Sequence, residues 1–109
     1  MTKNKSTQPV QKILESYIPL RREREALERT LDACTSERAR ALHLKIIRQN
    51  ELEEAKALEL ISRATNPIHR ELLTLHYIDG YTWEQTAEKM HYSEYIYRIR
   101  RAALKDIAE

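Results

Sequence analysis

Glycine is almost missing from this chain: Gly80 is the only one, beside three prolines and a single cysteine. So few turn formers leave little room for hairpins or sandwich turns, and an all-α fold follows. The same shortage excludes a Gly-rich phosphate loop. Cys34 has no cysteine to pair with and no neighbours at metal-ligand spacing. Aromatics are 6% of the residues. No apolar run approaches the ~20 residues of a membrane span, and the polar, lysine-bearing N-terminus has no signal-peptide core. Residues 1–10 are therefore expected to be a disordered tail, and the protein cytoplasmic, without a membrane partner.

What is present is charge, 33% of the residues, over a hydrophobic content of 41% that supports a core. The net charge of +2 is mildly basic and does not argue for nucleic acid by itself; any DNA-binding field must come from local patterning. A chain of 109 residues fits one domain, or a small domain with a helical appendage. His43, His69, His76 and His91 share no metal-ligand spacing, and no Ser/His/Asp set stands out. No enzyme, cofactor or metal is expected.

The densest signals lie in residues 66–109. Asn66 is a favoured N-cap and Pro67 suits the first helical position, where its missing N–H costs nothing. Ile68, Leu72, Leu75 and Ile78 then mark the inward face of a helix. Asp79-Gly80 ends it, since glycine takes the left-handed C-cap conformation without steric cost. Thr82 and Gln85 form a reciprocal capping box for the next helix, whose Trp83, Thr86, Ala87 and Met90 share a side. His91-Tyr92 makes a turn and Ser93 caps a third helix, expected over about residues 93–107. Ile96, Ile99, Ala103 and Ile107 form its inward stripe, and Glu94, Arg98, Arg101 and Lys105 its outward one. A basic stripe on the exposed face of the second helix of a helix-turn-helix suits the major groove. There arginine forks onto guanine or phosphate and lysine adds a point charge. An ordinary solvated face is the bland alternative.

The preceding stretch, residues 11–65, is less sharply marked. Val10, Ile13, Leu14 and Tyr17 open a helical pattern that Pro19 kinks or restarts. Leu20, Leu27 and Cys34, with Tyr17, Arg24 and Leu31, keep a seven-residue, coiled-coil-like spacing in which Arg24 is the flaw, snorkelling to solvent. Thr35-Ser36 offers the break before a second long helix over about residues 36–65. Leu44, Ile47, Leu58 and Ile61 line one face of it, interrupted by Glu51 and Glu54, which favour partial exposure; Leu42, Ile46 and Leu52 give a second, partial stripe. An antiparallel helical hairpin follows, for packing or for a homodimer; with no glycine at the bend, one long helix through Thr35-Ser36 stays open as the alternative.

The run Leu75 to Ala87, including Tyr77-Ile78-Asp79-Gly80 and Thr82-Trp83-Glu84, resembles the region-4 helix-turn-helix of sigma-70-type factors, together with Tyr92-Ser93, Tyr97-Arg98-Ile99 and Ala103-Leu104. It is more closely similar to small phage- and prophage-encoded regulators with such a C-terminus. The resemblance implies a sequence-specific DNA-binding transcriptional regulator of phage genes, acting on double-stranded DNA. Ser93, Glu94, Tyr95, Tyr97, Arg98, Arg101 and Lys105 would then form the DNA-facing set. Where the family turn has glycine this chain has His91, so a side chain must occupy a strained or altered turn. The chain is also one residue shorter before Ile96; a later helix start would move Glu94 and Tyr95 before Arg98 and Arg101. Two other functions remain open on the sequence: a protein-interaction module contacting RNA polymerase, and a phage terminase small subunit.

Overall fold

A computed structural model of the chain describes residues 6–92 and 94–108, and among them it is all-helical with no strand. The helices are α1 (Gln8–Glu15), α2 (Tyr17–Leu31), α3 (Glu37–Ser62), α4 (Pro67–Leu73), α5 (Trp83–Met90) and α6 (Ile96–Ile107). Of the tail expected over residues 1–10, the first five lie outside the described residues. Residues 8–10 are the first turn of α1, because Val10 has a core to enter and is buried.

Pro19 places the break between α1 and α2. It has no N–H to return to the carbonyl of Glu15, so α1 ends there and α2 restarts at Tyr17 with proline harmlessly in its first turn. Ser36 starts α3 as expected, its hydroxyl accepting from the Ala39 N–H at 3.3 Å. Polar contacts pair Leu20 near the start of α2 with Asn50 and Leu31 at its end with Arg40, so α2 and α3 run antiparallel. The Cα radius of gyration is 17.0 Å, against about 13 Å for a compact chain of this length. This pair of helices is an arm, and it accounts for the elongation.

Two expectations about the arm are corrected. Arg24 does not snorkel: it forks onto Glu54 at 2.7 and 3.0 Å and also reaches Glu28 at 3.0 Å. Glu54 is buried instead of half-exposed, and Leu58 is 48% exposed instead of covered. The buried residues of α3 are Ile47, Asn50, Glu54, Ala57, Leu60 and Ile61. Ile47 and Ile61 of the expected stripe are among them, Ala57 and Leu60 take the place of Leu58, and two polar residues are included. Asn50 is satisfied there by donating to the Leu20 carbonyl at 3.1 Å and to Glu23 at 2.7 Å. Leu42 and Leu52, the second partial stripe, are exposed.

The core proper begins with Val10, Leu14 and Tyr17, takes in Ala57, Leu60 and Ile61 at the base of α3, and continues through α4, α5 and α6 to Ile107. It crosses residue 65 without a gap. Asn66 caps α4 by accepting from the Ile68 N–H at 2.9 Å. After Leu73 the helix widens: the Asp79 N–H reaches back five residues to the Thr74 carbonyl at 2.9 Å, giving a π-helical segment over Thr74–Ile78. The extra residue turns the following side chains. Leu72, Leu73 and Tyr77 are the buried ones, while Ile68, expected inward, is exposed and Leu75 and Ile78 are only partly covered. Gly80 then takes φ +85°, the left-handed value its position demanded.

Candidate nucleic-acid interface

The approach to α6 is built from two local devices. Thr82 and Gln85 form the reciprocal capping box, 2.9 and 3.1 Å, that starts α5. Thr86, Ala87 and Met90 are buried and Trp83 is partly buried, as their shared side required. At the other end His91 takes φ 61°, ψ 36°, so a side chain does occupy the left-handed position. The Tyr92 N–H returns to the Ala87 carbonyl at 3.0 Å and closes the turn.

The start of α6 corrects the expected boundary. Ser93 lies outside the described residues. Glu94 and Tyr95 belong to a turn in which the Tyr95 N–H donates to the Tyr92 carbonyl at 3.0 Å, and regular helix begins only at Ile96. Tyr95 is the N-cap residue but has no side chain able to cap, at φ −115°, ψ 8°. Glu94 and Tyr95 are therefore exposed beside the helix rather than on it.

From Ile96 onward the two stripes separate cleanly. Ile96, Ala103 and Ile107 are buried and Ile99 is partly covered, with Leu104 joining them. Arg98, Arg101 and Lys105 are exposed, and none of the three has an ion pair among the described residues. Arg98 stands 5.6 Å from the centroid of the Tyr95 ring. Tyr97, also exposed, is tilted against Trp83 at 6.4 Å. The expected set thus comes together as one surface: Arg98, Arg101, Lys105 and Tyr97 on the helix, Tyr95 and Glu94 at its mouth.

Two residues the sequence left unassigned hold this helix in place. Arg100 lies between the stripes, its guanidinium 5.3 Å from the Trp83 ring. Trp83 in turn stacks on His76 at 3.7 Å. Burial lowers the His76 pKa, opposed by the hydrogen bond between its Nδ1 and the Tyr81 carbonyl. Burial raises that of the Tyr77 hydroxyl, opposed by Arg100. Asp106 anchors the opposite flank. Its carboxylate meets His69 Nδ1 at 2.8 Å and accepts from the Thr65 N–H and hydroxyl at 3.0 Å. The His69 hydrogen bond, helped by Thr65 and Asn66, holds its pKa below the usual value against burial. An arginine three residues after an exposed aromatic, and an aspartate near the last turn, are too common in sequence to single out.

The arrangement offers cations and aromatics on a convex helix face. It brings together no nucleophile and base, and no group of three or more metal-ligating side chains occurs among the described residues. No helix among them is long and apolar enough to cross a membrane. No family model, curated protein or solved structure matches the chain.

Proposed function

We propose that this chain is a sequence-specific DNA-binding transcriptional regulator, in which a long helical hairpin precedes a tri-helical helix-turn-helix of the sigma-region-4 type. Its recognition helix is α6. The observation that carries the proposal is the exposed basic stripe of Arg98, Arg101 and Lys105, which has no ion pair among the described residues, behind a tight turn. Exposed cations that are not neutralised by a carboxylate on one helix face can meet phosphates and base edges. A helix is about 10–12 Å across with its side chains, and the major groove about 12 Å wide, so α6 fits end-on or along it. Arg98, nearest the N-terminus of α6, is the base reader; Lys105 is a phosphate contact; Arg101 serves either role. Tyr95 and Tyr97 flank the entry and add apolar contact.

Selection of bound sequences from a random duplex pool tests this directly. A recovered motif gives the operator and the half-site spacing; an unenriched pool refutes sequence-specific binding. The competing function, a module contacting RNA polymerase or another protein, draws on the exposed Leu42, Leu52 and Leu58 of α3. The same leucines would serve a homodimer. Salt separates them: binding to DNA weakens steeply as salt rises, and binding through leucines does not.

A further inference from the structure

Beside the stripe on α6, a groove of about 260 Å³ runs between that helix and the first turn of α1, lined by Thr7, Gln11, Arg100, Arg101, Leu104 and Lys105. Three of its six lining residues are cations and none is an acid. The first turn of α1 also carries no acidic residue, and Thr7 makes no side-chain cap there. Its positive end therefore faces more positive charge, while Gln11 donates to the Glu15 carboxylate at 3.0 Å, a turn further along α1. Arg100 adds a buried Nε without a hydrogen-bond partner among the described residues, while its side chain also hydrogen-bonds the Tyr77 hydroxyl. A concave site whose lining holds three cations and no acid fits an anion.

The position of the groove selects which anion. Arg101 and Lys105 belong both to the groove and to the outward stripe. A helix lying in the major groove has a sugar-phosphate strand on each side of it. On one flank of α6 stands Asp106, engaged with His69 and Thr65; on the other stands this groove. We propose that the groove takes a backbone phosphate of the same duplex that α6 enters, so that the N-terminal helix and the C-terminal helix grip one strand together. This rests on α6 being the DNA-contacting helix.

Gln11, on the rim opposite the arginines, tests it. Gln11→Glu places a negative charge in the groove and Gln11→Lys a positive one, with circular dichroism to verify the fold. Each is titrated beside the parent and Arg98→Ala, against the selected duplex and a scrambled one, over a range of salt. Gln11→Glu should weaken both duplexes alike, about fivefold near 0.15 M salt, with a salt slope shallower by about one unit; Gln11→Lys should strengthen both and steepen the slope. If both variants bind like the parent while Arg98→Ala loses discrimination, the groove proposal fails and the role of α6 stands. If the parent binds no duplex, the role of α6 fails and the groove proposal with it. A titration with inorganic phosphate that shifts the Gln11 and Arg101 amide signals, with duplex affinity untouched by either variant, makes the groove a free-anion site and also overturns the proposal.

Discussion

The arm and the C-terminal helices handle charge in opposite ways. In the arm, charge is inside: Arg24 and Glu54 lie between α2 and α3 with Asn50 a turn away, while Leu42, Leu52 and Leu58 face outward. Around α6 the buried residues are almost all apolar, and Arg98, Arg101 and Lys105 lie outside with no ion pair among the described residues. A buried ion pair contributes little net stability, but its geometry penalises any other register. The arm thus has its alignment written in polar contacts. The surface of α6 carries its charge exposed.

The comparison breaks most visibly at Arg24. Replacing it by Met leaves Glu54 buried and unpaired, which should cost roughly 3 kcal/mol in urea unfolding. Adding Glu54→Leu should recover most of that loss. A single variant as stable as the parent would mean that the arm opens to water and that its polar core is not buried in solution.

Next in size is Gly80. Its φ of +85° is strained for any side chain, and an added Cβ meets Ile18 Cδ1 at 3.4 Å. Gly80→Ala should cost about 1–2 kcal/mol in thermal melts and Gly80→Asn less. His91 gives the same test with the opposite sign. It holds a left-handed conformation with a side chain, so His91→Gly should gain about 0.5–1 kcal/mol after the entropy of the extra glycine is counted.

The pH dependence is the smallest effect. His76 titrates below its ordinary 6.5 and Asp106 below its ordinary 3.8. Both pKa values are lower folded than unfolded. Each contribution is therefore present above the unfolded value and is lost as pH falls through the folded one. Trp83 is the only tryptophan and is stacked on His76, so its emission should change with a midpoint below 6.5. His76→Gln should abolish that step. A midpoint at or above 6.5 would contradict the buried stack.

What could be read from sequence was local. Ser36, the Asn66-Pro67 start, Gly80 and the Thr82–Gln85 box each act within four residues, and each stands where its chemistry requires. The inward stripe of α6 was legible because its period is unbroken. The arm was harder because a buried Glu54 reads as an outward residue until its partner, 30 positions away, is known. The π-helical segment was hidden because Leu72, Leu73 and Leu75 are all apolar, so either register looks acceptable. The late start of α6 was masked by Ser93, a good cap by type, whereas the described helix opens after Tyr95, a poor one. The groove between α1 and α6 joins residues from opposite ends of the chain, and no spacing could show it.

The central claim is that α6 bears an outward face made for DNA and not for stability. Alanine at Arg98, Arg101 and Lys105, one at a time, tests it in a single series that records both unfolding and duplex binding. Unfolding should stay within about 0.5 kcal/mol of the parent, since none of the three is buried or ion-paired. Binding should not stay. Arg98→Ala should lose about 1–3 kcal/mol on the selected site and relax discrimination at one base pair, while Lys105→Ala should weaken all duplexes alike and lower the salt slope by about one. Three variants that fold and bind as the parent does would contradict the claim and give α6 to a protein partner instead.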